Sequence, residues 1–147
     1  MMFKKVAIAA ATVAAGIGGL VAAPAVQAQD QFVPLLVYRT GQFAPLGIPW
    51  ADGKQDYIKL VNAKGGINGV KIAYEECETA YDTAKGVECY ERLKGKGGGA
   101  AGFDPQSTGI TFAVTDKAPG DKMPIITTGY GLSQSADGKV FEWNFPL

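Results

Sequence analysis

Hydroxyls, amides and glycines gather at three points of the chain, and they limit the chemistry open to it. Asp104-Pro105-Gln106-Ser107-Thr108-Gly109 carries two hydroxyls and an amide just ahead of an apolar run. Thr128-Gly129-Tyr130-Gly131 places an aromatic ring between two glycines, and Thr40, Gly41 and Phe43 follow an apolar stretch. Groups of this kind hydrogen-bond and pack against a ligand but activate nothing. Ser107 and Thr108 fall at the expected start of a helix, where unpaired N–H groups and the helix dipole favour an anion. Ser107 capping its own helix is the equal alternative. Gly129 and Gly131 either let the backbone approach a ligand closely or only satisfy a turn. Phe43, Trp50 and Tyr130 are candidates for lining an apolar pocket, with a core position the favoured reading for Trp50.

Nucleophilic chemistry finds little support. Gln106-Ser107-Thr108-Gly109 resembles the second half of a G-x-S-x-G elbow, but Pro105 holds the first glycine position. The chain has no histidine, so Ser107 lacks the commonest activating base and a metal lacks its commonest ligand. A secreted hydrolase using Asp104 stands as the alternative; the acidic run Glu75-Glu76-Cys77-Glu78 more simply marks a strand end at the rim of a sheet. Gly97, Gly99 and Gly102 formally match G-x-G-x-x-G, yet they follow a helix instead of opening one, and no G-K-[S/T] is present for a phosphate loop. Gly95–Gly102 is read as a connector. Cys77 and Cys89 are the only cysteines; in an oxidising compartment an even pair predicts a disulfide, with two separate buried thiols as the alternative. Two cysteines alone make no metal site.

The elements that must position these groups alternate strand and helix. Phe32–Tyr38 is an apolar run suited to a strand buried on both faces. Thr40–Pro49, with its glycines and prolines, is expected as a loop. Trp50, Tyr57, Ile58 and Val61 fall at helical spacing. Gly65 is placed as the residue beyond that helix, Gly66-Ile67-Asn68-Gly69 turns the chain, and Val70, Ile72 and Tyr74 alternate as a strand. Asp82 is the expected N-cap of a second helix with Gly86, Val87, Tyr90 and Leu93 inward. A short strand Ala100–Phe103, a third helix from Ser107 to Ala118 stopped by Pro119, a strand Met123–Thr127 and a final strand Val140–Phe145 complete the pattern. Strand–helix–strand order predicts an α/β fold on a parallel sheet, with ligands outside the carboxyl ends of the strands.

Met1–Ala28 has Lys4 and Lys5, an Ala/Val/Ile/Gly run and a small-residue Val26-Gln27-Ala28 exit, the order of a secretory signal peptide. A membrane anchor is the rival, weakened by the richness in Ala and Gly. The remaining Gln29–Leu147 is read as one domain with 12 basic and 14 acidic groups, a net charge of −2. No basic patch invites nucleic acid or an anionic membrane.

Val61-Asn62-Ala63-Lys64-Gly65-Gly66-Ile67-Asn68-Gly69 followed by Lys71-Ile72, the acidic strand exit, the Asp82 helix start and Met123-Pro124-Ile125-Ile126 resemble the periplasmic binding proteins of branched-chain amino acid ABC transporters. The resemblance implies a Rossmann-like three-layer lobe of the type I class, here an incomplete first lobe over 29–147 with the second lobe absent. It also implies a periplasmic monomer that binds a small solute between two lobes and delivers it to a membrane permease, with no catalytic residue and no cofactor. A sensor module of a receptor with the same fold is the alternative. By position, Pro105–Thr108 and Thr128–Gly131 correspond to the loops that hold the α-carboxylate and ammonium of an amino acid. Gln106 or Ser107 stands where a serine hydroxyl is usual, and Gly129 where a backbone carbonyl is used. Gly131 replaces a common threonine, which leaves an amide, a urea derivative or an aromatic acid as ligand beside a plain leucine type.

Overall fold

The computed structural model describes residues 29–127 and 137–146. Met1–Ala28, read above as a signal peptide, lies outside them, as do Thr128, Gly129, Tyr130 and Gly131. Strand β1 (Gln31–Val37) leads to helix α1 (Ala44–Ala63), then β2 (Ile72–Glu78) and α2 (Thr83–Leu93). A 3-10 turn at Lys96–Gly98 precedes α3 (Thr108–Thr115), a four-residue α4 (Ala118–Asp121), β3 (Ile125–Thr127) and β4 (Asn144–Pro146).

Among the described residues, the named strands pair in parallel. β1 and β2 pair in register from Gln31 with Ile72 to Val37 with Glu78, and β3 pairs with β4. The expected strand Ala100–Phe103 is reduced to two parallel bridges, Phe32 with Ala100 and Phe103 with Ile125. These bridges join the two pairs, so the order across the sheet is β2, β1, the 100–103 segment, β3, β4.

Both faces of β1 are covered because its residues alternate between two apolar layers. Phe32 and Leu36 join Tyr90, Leu93, Phe103, Ile110, Val114 and Ile125 on the side of α2 and α3. Leu35 and Val37 meet Ala51 and Ile58 of α1 on the other. This is the three-layer parallel-sheet architecture expected. Burying each large side chain of the first layer contributes about 1.5–3 kcal/mol, so that layer dominates stability. Cys77 at the end of β2 and Cys89 in α2 are joined by a disulfide with Cα atoms 5.9 Å apart. Asp82 caps α2 by accepting from the Lys85 N–H at 2.9 Å.

Several expectations are corrected. α1 begins at Ala44, inside the expected Thr40–Pro49 loop, with Pro45 in its first turn and Pro49 within the helix. Proline lacks only an N–H that the first turn leaves unpaired, so Pro45 suits a helix start. Trp50 is not core: it is 41% exposed and, with Val33 and Tyr57, lines an open groove, while Ala51 and Ile58 carry the buried face. Small Gly47 completes that face, since a Cβ there would come within 2.0 Å of the Tyr38 carbonyl oxygen. β2 starts at Ile72, and Val70 instead closes the turn by exchanging hydrogen bonds with Ile67. Pro119 does not stop α3 but opens α4, and Val140 precedes β4 in a turn.

Candidate functional site

Strand order reverses at β1. The chain leaves it for β2 on one side and returns to the 100–103 segment on the other. The carboxyl ends of β1 and of that segment therefore flank the crevice where open α/β sheets bind ligands. Tyr38–Phe43 and Asp104–Thr108 meet there.

Gln106 is 6% exposed and holds a left-handed backbone at φ 55°. With its amide oriented to satisfy both ends, Oε1 accepts from Trp50 Nε1 at 3.0 Å and from Lys54 Nζ at 2.5 Å. Lys54 also pairs with Asp104, whose Oδ1 accepts the Gln106 N–H at 3.2 Å. The carboxylate an enzyme would use is thus engaged in holding this loop. Ser107 is buried and caps α3, its Oγ accepting from the Ile110 N–H at 3.4 Å. Its hydroxyl proton stays available to donate. Thr108 is the first residue of α3 and half-buried.

On the β1 side, Thr40 is exposed, and its hydroxyl does not face a pocket alone. It donates to Glu78 Oε1 at 3.0 Å. Glu78 also accepts the N–H groups of Arg39 (2.9 Å), Thr40 (3.3 Å) and Ala80 (2.8 Å). Burial pushes its carboxyl up, but these backbone and hydroxyl donors outweigh burial and hold it below the ordinary value. Arg39 forms a two-pronged pair with Glu76, at 2.9 and 2.6 Å, and reaches Asp52 at 2.7 Å.

Phe43 stands directly before α1, and its ring lies 4.6 Å from that of Tyr81. Tyr81 meets Tyr38 edge-on at 5.1 Å. Burial pushes the Tyr38 phenol up, and the nearby Tyr81 and Asp104 oxygens push it further, so the aromatic group and the Asp104 loop share one environment. Gln106, Ser107, Thr108, Thr40 and Phe43 are thus brought to one edge of the sheet. Trp50, open in the sequence between core and pocket, shares that edge, as do Lys54, Glu78 and Tyr81, which were not singled out as site residues. Only the acidic run at Glu78 carried a signal, and it was read as a rim.

The chain matches the family model described as periplasmic binding protein over residues 30–147. No curated protein sequence matches it. Among solved structures, one titled an ABC transporter permease from the Pseudomonas fluorescens group shares 43% identity at a TM-score of 0.76, over 81% of this chain and 29% of that one. A fatty acid ABC transporter substrate-binding protein from Thermomonospora curvata shares 26% identity at a TM-score of 0.62, over 68% of this chain and 25% of its own. A branched-chain amino acid transporter substrate-binding protein from Streptococcus pneumoniae, in complex with isoleucine, shares the fold at 20% identity and a TM-score of 0.69, over 80% and 33%. The chain spans a third or less of each of these structures. With a family match over residues 30–147, the chain belongs to the periplasmic binding protein family.

Proposed function

We propose that this chain is the N-terminal part of the first lobe of an extracytoplasmic solute-binding protein serving an ABC importer for branched-chain or related amino acids and amides. Residues 1–28 act as the cleaved signal peptide that takes it to the periplasm, and residues 29–147 supply one wall of an interlobe cleft. The protein works as a monomer that hands its solute to the importer's permease. Gln106, Ser107 and Thr108 hold the polar end of the ligand together with Thr128, Gly129, Tyr130 and Gly131. Phe43 lines the pocket, and Thr40 shapes its rim through Glu78.

The observation that carries this reading is the switch-point crevice, where, among the described residues, hydrogen-bonding groups converge without an activating base. Ser107 spends its oxygen on a cap and Asp104 is tied to Lys54, so the site is built to hold and not to turn over. The family match and the substrate-binding relatives support it. Enclosing a ligand takes contacts from two lobes. Calorimetric titration with leucine, glutamine and urea tests this at two lengths. The protein at its natural length is expected to bind at least one of them at micromolar concentration or tighter, and the 147-residue chain alone far more weakly. Micromolar binding by the chain alone would sink the two-lobe part, and turnover of a bound amide would sink the non-enzymatic part.

A further inference from the structure

We infer that the solute of this site carries an aromatic body beside its polar end, and that Phe43 and Tyr81 form the wall that selects it. The inference rests on the solute-binding reading above and names the ligand class within it.

The wall is costly to build. Ala80 and Tyr81 both hold left-handed backbone, at φ 50° and 65°, although neither is glycine. Such residues persist only where their surroundings over-determine them, and they cluster at ligand sites. Here the surroundings are plain. Glu78 Oε1 takes the Ala80 N–H at 2.8 Å, and Thr79 Oγ1 takes the Tyr81 N–H at 3.2 Å. Thr79 is itself fixed, being buried and donating its hydroxyl to the Val37 carbonyl at 2.9 Å. The result is that the Tyr81 ring packs against Phe43 and over buried Tyr38 at the carboxyl edge of the sheet.

A turn alone would need no tyrosine there. Phe43 is 38% exposed, so at the mouth of the crevice its ring stands partly open beside Tyr81. The charged groups around it are spent on one another: Lys54 on Asp104, Arg39 on Glu76 and Asp52, Glu78 on backbone N–H groups. Among the described residues, the mouth therefore offers ring faces and edges to the ligand's body, and the Gln106–Thr108 loop offers donors to a carboxylate. Offset or edge-on contact with a second ring adds to area burial in a way an aliphatic body cannot match.

The test titrates the protein at its natural length with phenylalanine, phenylacetate, leucine, glutamine and urea, and repeats it with Phe43→Ala and Phe43→Leu. Phenylalanine or phenylacetate is expected to bind about tenfold tighter than leucine, and both substitutions to remove most of that ratio. Phe43 is partly exposed, so the variants fold, and thermal melting checks this. Leucine binding as tightly as the aromatic acids, a ratio that survives both substitutions, or binding of glutamine or urea alone overturns the inference and leaves the solute-binding reading intact. Binding of none of the five compounds overturns both.

Discussion

The two turns at opposite ends of β2 solve the same steric problem in opposite ways. At the entrance, left-handed backbone falls mainly on glycine, at Gly65, Gly66 and Gly69, with Asn68 the exception that tolerates it best. Backbone groups close that turn among themselves: the Gly66 N–H reaches the Val61 carbonyl at 2.9 Å, and Ile67 and Val70 exchange two bonds. At the exit, left-handed backbone falls on Ala80 and Tyr81, and side chains of Glu78 and Thr79 hold it. The entrance needs only to reverse the chain, so glycine removes the strain. The exit must present a ring, so the strain stays and neighbouring acceptors offset it.

The comparison breaks most easily at the entrance. A Cβ on Gly66 would lie 2.0 Å from the Val70 carbonyl oxygen, at a φ of +82°. Gly66→Ala is expected to cost about 3 kcal/mol, read as a drop in the urea midpoint at unchanged slope. A loss under about 1 kcal/mol would mean that the turn relaxes freely and glycine is incidental there.

Smaller is the effect of Glu78→Gln, which leaves one acceptor oxygen for several donors and should cost about 1 kcal/mol at neutral pH. The pH dependence has a definite sign. Donors at Arg39, Ala80 and Thr40 win over burial and hold the folded carboxyl low. Its contribution is therefore complete above the unfolded glutamate value of about 4.3 and is lost as pH falls through the lower folded value. Wild type and Glu78→Gln should draw together in stability as the pH falls below about 4.3; a gap that stays constant through acid titration would remove Glu78 from the account.

Smallest, and opposite in sign, is Ala80→Gly. Relief of left-handed strain exceeds the entropy cost of glycine, and a gain of about 0.5 kcal/mol is expected, seen as a melting temperature higher by a few degrees. A loss of stability would show that the exit turn is not strained.

Features governed by neighbours in sequence were legible in advance. The apolar run Phe32–Tyr38, the Gly65 helix end, the Asp82 cap and the Cys77–Cys89 pairing all appear in the fold. Ser107 was open between a cap and an anion site, and its bond to Ile110 supports the cap. Trp50 failed as a core residue because helical spacing says which residues share a face, not which face meets the sheet. Close packing at Gly47 and Ala51 turned α1 so that the indole reaches across to Gln106. The Thr40–Pro49 loop failed because its prolines were read as breakers, although a first turn accepts them.

Short-range chemistry was thus enough for strand, turn and helix, for a parallel α/β lobe, and for the family, because caps, periodicity and turn glycines act over a few residues. Contacts between distant segments settled the rest. That Lys54 and Trp50 of α1 would fix Gln106, that Glu78 would serve Thr40 and Ala80 together, and that Tyr81 would stand beside Phe43 depends on which strand ends the parallel register brings side by side. Apart from Glu78 with Ala80, two positions away, these pairings join residues 38 to 56 positions apart, and the left-handed residues among them follow no local rule. They are strained precursors of a site only because the packed sheet holds them there.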